Sequence, residues 1–243
     1  MGERARKLGP ISAVVCNYNG ERYLADCLRS LAALDEGVDE IIVVDNASDD
    51  GSLDLIRSDF PSVKVLALPE NGGPCVARNA GMRAARNRWV LAVDNDAELL
   101  PDVLGRLREA LEADEAAVMA QPRSVFDRAR DQVHYDGAEF HYLGLLSLRN
   151  FYRPLAEAKG QGIVPVDGAI AIAILLDRDA VLAAGGYDED YFILFEDYDL
   201  SLRLRLAGHR ILAVEEAIVL HKGGTPGISF RAGSYPERRS FYH

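Results

Sequence analysis

Short apolar runs rich in β-branched residues alternate with longer helix-compatible stretches through the first half of the chain. The runs predict strands over residues 11–16, 40–45, 63–68, 89–94 and 116–121. The stretches between them predict helices over 21–33, 52–59, 74–87 and 101–112. Two of these open with a proline, Pro74 and Pro101, where the missing N–H costs no helical bond. Such alternation predicts a parallel sheet with crossover helices.

The turns after those strands hold the polar residues. They read Asn17-Tyr18-Asn19-Gly20, Asp45 through Gly51, Glu70-Asn71-Gly72-Gly73, and Asp94-Asn95-Asp96. In an open α/β sheet the ligand sits outside the carboxyl ends of the strands, so four polar loops are expected on one binding edge. Neither G-x-G-x-x-G nor G-x-x-x-x-G-K-[ST] occurs at these turns, which excludes the familiar phosphate cradles.

From about residue 122 the pattern changes to short aromatic-rich pieces, the apolar run 169–176, a turn at Gly185-Gly186, and an acidic segment. The stretch Leu200-Ser201-Leu202-Arg203-Leu204-Arg205-Leu206 alternates strictly and by period favours a strand. A buried helix stopped by Gly208 fits the same leucines. With no repeat or linker between the halves, one α/β domain over 1–243 is expected.

Composition narrows the class. Hydrophobic residues at 49% and charged residues at 27% describe an ordinary globular chain. A net charge of −11 gives no global attraction for nucleic acid, so no nucleic-acid partner is expected. No apolar stretch approaches the roughly 18 residues that span a bilayer. The opening MGERARKLGP has no signal-peptide core, so a cytoplasmic protein is expected. Cys16, Cys27 and Cys75 have no paired spacing and are expected to be reduced.

Three clusters carry candidate chemistry. Asp94 and Asp96, one residue apart after the apolar strand WVLAV, can face one hard cation, which would hold the phosphates of a nucleotide; equally, they suit a solvated turn or a helix cap. In Phe195-Glu196-Asp197-Tyr198-Asp199, apolar and like-charged neighbours raise proton affinity and suit a general base. Acids at a helix N-terminus are the competing explanation. His221, after the apolar run 217–220, can complete a metal shell or contact phosphate, or can be a plain strand-end histidine. From there on, Lys222, Arg231, Arg238 and Arg239 face only Glu237, a basic stretch compatible with a diphosphate or with peripheral contact at the inner face of the cell membrane. Asp45 suits a base, a ribose or a helix cap, and Arg78 a phosphate or a surface acid.

Together the segments VVCNYNGERYLADCLRSL, EIIVVDNASDDGS, PENGGPCVARNAGMRAA, WVLAVDNDAELLPD and GGYDEDYFILFEDYDLSLRLRLAG, followed by His221, resemble family 2 glycosyltransferases of the glycosyltransferase A fold. The resemblance runs over nearly the whole chain, and is greatest to the rhamnosyltransferase-like branch that builds bacterial surface polysaccharides. It implies a Rossmann-like, mostly parallel central sheet with flanking helices and a smaller antiparallel acceptor-side part. Residues 10–121 would be the nucleotide-sugar half, and 122–243 the acceptor half with the base. The implied reaction is an inverting transfer from a UDP- or dTDP-linked sugar to a hydroxyl of a saccharide or lipid-linked acceptor.

By resemblance, Asp45 contacts the nucleobase, Asn71 and Arg78 shape the nucleotide pocket, and Cys16, Tyr18, Asn19 and Asn95 complete it. Asp94 approaches ribose or metal, Asp96 is the principal ligand of Mg²⁺ or Mn²⁺, and His221 completes that shell. Asp197 is the base, with Glu196 beside it to bind acceptor. The family also places a helix after FEDYD, and its members often continue past the equivalent of SYPERRSFYH into further helices. Two other functions compete: a metal-dependent sugar nucleotidyltransferase, for which NYNGERYL is a poor phosphate loop, and a non-catalytic nucleotide-sugar-binding domain, which has no use for Asp197.

Overall fold

Along the first strand, β1 (Ile11–Asn17), Ala13 and Val15 enter one apolar layer and Val14 enters another, so both faces of the strand are covered. The computed structural model describes residues 6–143, 145–158 and 162–222. After β1 come α1 (Glu21–Ala32), β2 (Glu40–Asp45), α2 (Ser52–Asp59), β3 (Lys64–Ala67), α3 (Gly73–Ala84) and β4 (Trp89–Asp94). Then follow β5 (Ala97–Leu99), α4 (Val103–Ala113), β6 (Ala117–Phe126), β7 (Ala129–Tyr135), β8 (Ala138–Phe140) and β9 (Leu146–Leu148). The described chain closes with β10 (Ile163–Val166), β11 (Ala173–Asp177), α5 (Arg178–Ala183), α6 (Glu196–Leu206) and β12 (Arg210–His221).

The predicted alternation forms the parallel block β3-β2-β1-β4. Its register sets Asn17 opposite Asp45 and Cys16 opposite Asp94, which brings the polar turns level at one edge. The apolar run supplies β11, inserted antiparallel between β4 and β6, and β12 lies parallel to β6. The hairpin β8-β9 forms a separate small sheet.

The helices are held mainly by packing. In α1, Leu24, Cys27, Leu28 and Leu31 are buried at helical spacing, each large side chain stabilising by about 1.5–3 kcal/mol relative to exposure. α3 lies close over the sheet because Gly81 carries no side chain: a Cβ there would stand 2.2 Å from Val14 Cγ1.

Several expected boundaries shift. α3 ends at Ala84 because Ala85 is extended, and Pro101 precedes α4, which starts at Val103. β6 runs past the expected end at 121, through Pro122, to Phe126. Proline cannot donate to the ladder, and the register of β12 breaks opposite it, between Val214 and Ile218. The alternating leucine stretch is helix α6: Leu200 and Leu204 share a buried face one turn apart, and Gly208 follows at φ +89°. No described helix is long and apolar enough to cross a membrane. The basic positions Arg231, Arg238 and Arg239 lie outside the described residues.

Candidate active site

The four polar turns open onto a cavity of about 910 Å³, within the range of small-molecule sites. Cys16, Asn17 and Tyr18 line it from the end of β1, with Asn46 and Asn71 beside them. Asp94, Asn95 and Asp96 follow β4, while Phe192, Ile193 and Leu194 lead into Glu196 and Asp197 on the other side. His134, Tyr135 and His221 complete the walls used below.

Side-chain amides fix the loops that follow β1, β2 and β4. Asn95 Nδ2 donates to Asn17 Oδ1 at 2.8 Å, and Asn17 Nδ2 donates to Asp45 Oδ1 at 2.9 Å. Asn46 Nδ2 donates to Asn71 Oδ1 at 2.8 Å and to the Gly73 carbonyl at 3.1 Å. Gly73 itself has φ +84°, and a Cβ on it would stand 2.5 Å from the Phe192 carbonyl oxygen. Only glycine allows that approach at ordinary cost, and it brings the start of α3 against the loop before α6.

Arg78, 5% exposed on α3, bridges the two acidic clusters. Its Nη2 donates to Asp94 Oδ1 at 2.9 Å and to the Ala171 carbonyl at 3.1 Å, and its Nη1 lies 3.4 Å from Glu196 Oε1. Burial pushes the Asp94 carboxyl up to about 6 against the lowering effect of Arg78. Its neighbour Asp96 leads into β5, not into a helix it could cap.

Asp96 Oδ2 lies 3.2 Å from His221 Nε2, and the backbone N–H of Lys222 donates to the Asp96 carbonyl at 2.8 Å, pinning the end of β12 beside the turn. His221 Nδ1 is 3.1 Å from His134 Nδ1, and the two rings lie nearly parallel, at 11°, with centres 4.9 Å apart. Lys222 directs its ammonium to Asp26 at 2.6 Å and Glu98 at 2.7 Å, so its charge is already matched.

Glu196 and Asp197 open α6, after Leu194 at φ 73° and Phe195 at φ 65°. Left-handed backbone at two large side chains is costly and forms a sharp entry that turns the acids to the cavity. Asp197 Oδ2 accepts from the Ala171 N–H at 3.2 Å. Burial, and next the Glu196 charge, push its carboxyl up to about 7.

Most residues expected from the sequence meet at this cavity: Cys16, Tyr18, Asn71, Arg78, Asp94, Asn95, Asp96, Glu196, Asp197 and His221. Two do not line it. Asp45 is 1% exposed, with Asn17 Nδ2 on one oxygen and the Ser48 N–H on the other. Asn19 spans the loops, its N–H donating to Ser48 Oγ and its Oδ1 accepting from Asp49 N. Burial pushes the Cys16 thiol up to about 12, so it faces the cavity as a neutral group. Sequence reasoning missed Asn17, Asn46, His134 and Tyr135 as individual site residues. The two asparagines stand in polar turns already marked; His134 and Tyr135 have no local signature.

Among the described residues no three His, Cys, Asp or Glu side chains converge on one point as a preformed metal cluster. Asp96 and His221 do converge, as one carboxylate oxygen and one imidazole nitrogen at the cavity wall. That pair fits a divalent cation that keeps most of its positions for phosphate oxygens and water.

The structure overlays a solved structure of GalNAc-T7 with UDP, GalNAc and Mn²⁺ at a TM-score of 0.72 and 17% identity, over 90% of this chain and 46% of that one. This is the glycosyltransferase A fold. Residues 12–175 match the profile of Glycosyl transferase family 2, and the chain belongs to that family. It is 36% identical over 108 residues to the succinoglycan biosynthesis protein ExoO of Rhizobium meliloti, covering 44% of this chain and 31% of that protein. It is 27% identical over 234 residues to the N-acetylglucosaminyl-diphospho-decaprenol L-rhamnosyltransferase of Mycobacterium tuberculosis, covering 87% of this chain and 75% of that protein.

Proposed function

We propose that the protein transfers a sugar, with inversion, from a UDP- or dTDP-linked donor to a hydroxyl of a saccharide or lipid-linked acceptor in surface polysaccharide synthesis. The observation that carries this reading is Asp197, a carboxyl pushed up to about 7, on the same cavity as the Asp96–His221 pair. A base poised near neutrality and a phosphate-side cation site are the two groups a single displacement requires. The names of the Rhizobium and Mycobacterium relatives support the polysaccharide and lipid-linked acceptor classes.

In the proposed reaction Asp197 takes the acceptor hydroxyl proton while that oxygen bonds to the anomeric carbon. The bond from that carbon to the diphosphate oxygen breaks on the opposite face, and its electron pair leaves with the diphosphate. Asp96 and His221 would hold Mg²⁺ or Mn²⁺, which would supply positive charge against that leaving group. Arg78 keeps Asp94 and Glu196 in place on either side. Asn71, Asn95, Tyr18 and Cys16 form the nucleotide wall, and Asp45 acts at its base end by orienting Asn17 and the Ser48 loop. In this reading the nucleotide half and the acceptor half, with the base, share one catalytic domain.

Calorimetric titration of UDP, dTDP and GDP, with and without Mn²⁺, tests the donor site without an acceptor. Metal-dependent binding of one diphosphate, weakened at least tenfold in Asp96→Ala, is the expected result. If no diphosphate binds the folded protein, the reading fails.

A further inference from the structure

Three of the four most exposed large apolar side chains among the described residues share one turn: Tyr142 at 87%, Leu143 at 65% and Leu145 at 62%. The turn joins β8 to β9. Single exposed apolar residues are ordinary, as Leu206 is at the end of α6, but a cluster in one place marks a contact.

Below its tip the hairpin divides polar from apolar in the usual way. Glu139 and Ser147 stand opposite each other on the exposed face, while Ala138, Phe140, Leu146 and Leu148 alternate onto the more buried one. Only the tip breaks that division. It is an ordered turn: the His141 N–H donates to the Leu145 carbonyl at 2.7 Å, and His141 Nδ1 accepts from the Leu143 N–H at 3.3 Å. The root is fixed beside the proposed base. The centre of the Phe140 ring lies 4.6 Å from that of Tyr198, the residue after Asp197, and Leu148 lines the cavity. Leu145 precedes Leu148 by three residues, about 10 Å of extended chain, so whatever covers the tip lies close to the cavity.

Three side chains are far fewer than the roughly 20–30 residues a side of a stable protein interface. A tyrosine with two leucines is instead a composition that settles between lipid headgroups and acyl chains. With a net charge of −11 the chain has no general attraction for an anionic surface, so the tip binds by apolar contact. Resting on the functional reading above for a lipid-linked acceptor, we infer that the β8–β9 tip inserts Tyr142, Leu143 and Leu145 into the bilayer that carries this acceptor, and so sets the cavity at its surface. So small an apolar surface gives reversible contact, and the acceptor held in the cavity supplies the second attachment.

Tyr142→Trp puts a fluorescent reporter on the tip, against a background of the single native Trp89, which is buried. The full chain, carrying an N-terminal hexahistidine tag, would be held on phosphatidylcholine vesicles by a nickel-chelating lipid, so that weak insertion is read at high local concentration. The inference expects the added emission to shift to the blue on the vesicles and to fall about twofold when their acyl chains are brominated, in about 1 M NaCl as in low salt. Adding Leu143→Ser and Leu145→Ser should abolish both changes, and a reporter placed by Leu206→Trp should show neither. Four results would overturn it: an unshifted tip reporter, equal quenching at position 206, quenching lost in high salt, or quenching that survives the two serines. A dimer in sedimentation that the two serines dissolve would also overturn it, because the tip would then meet a second copy. The donor titration is read separately: if no diphosphate binds, the functional reading fails, and a tip that still inserts upholds the bilayer contact without it.

Discussion

Arg78 holds Asp94 at 2.9 Å, and the same buried guanidinium reaches Glu196 from its other nitrogen, so one cation serves two carboxylate clusters that are 102 positions apart, Asp94 and Glu196. Placing two acids at one cavity without a cation between them would leave uncompensated charge.

Arg78→Met therefore leaves Asp94 and Glu196 facing each other unneutralised. It is expected to lower stability by about 3 kcal/mol, as breaking a buried pair does, in urea unfolding near neutral pH. The loss should shrink at pH 5, where a carboxyl already raised to about 6 is largely protonated.

Asp197 makes both rate and stability depend on pH. Its folded pKa is raised to about 7 above the ordinary value near 3.8, so between those limits the folded protein holds a proton the unfolded chain has released. Stability from this group is present at low pH and lost as pH rises toward 7. Asp197→Asn should melt higher than wild type at pH 8, by a smaller margin at pH 5, and nearly level with it only below about pH 4. Under the proposed reaction, transfer by wild type should rise with pH through about 7, while the variant binds donor and transfers at least a hundredfold more slowly.

His134 lies against His221 and within hydrogen-bond distance of its Nδ1. Removing such a support from a metal-binding imidazole costs about 10–100-fold in affinity. His134→Ala should weaken Mn²⁺ binding to the nucleotide complex by about tenfold in calorimetry, with His134→Asn recovering part of the loss.

Gly73→Ala combines a positive φ with a 2.5 Å approach to the Phe192 carbonyl. A stability loss of about 1–3 kcal/mol is expected from the backbone conformation and the displaced loop together. Because that loop leads into Glu196 and Asp197, transfer should fall further than stability does. Circular dichroism melts and a transfer assay on one preparation separate the two effects.

What the chain encodes locally was legible without coordinates. The strand at Trp89–Asp94 and the helix at Ser52–Asp59 have the predicted limits, because the apolar pattern of a buried strand or an amphipathic helix is set by neighbours in sequence. The acids of Asp94-Asn95-Asp96 and Glu196-Asp197 stood out for the same reason: each is a short polar interruption next to an apolar run. The alternating leucines of 200–206 were ambiguous because period alone does not say which neighbours will cover Leu200 and Leu204.

The tertiary structure alone decided which of these groups meet. The residues alone left Arg78 between a phosphate and a surface acid; only the packing of α3 on the sheet brings its guanidinium to the Ala171 carbonyl ahead of β11 and between Asp94 and Glu196. His134 and Tyr135 face the cavity only through a slip in register against β6, and register is a property of two strands. Residue types and periods belong to the sequence; the pairing of distant strands, and the burial that lifts Asp94 and Asp197 to useful proton affinities, arise only once the sheet is assembled.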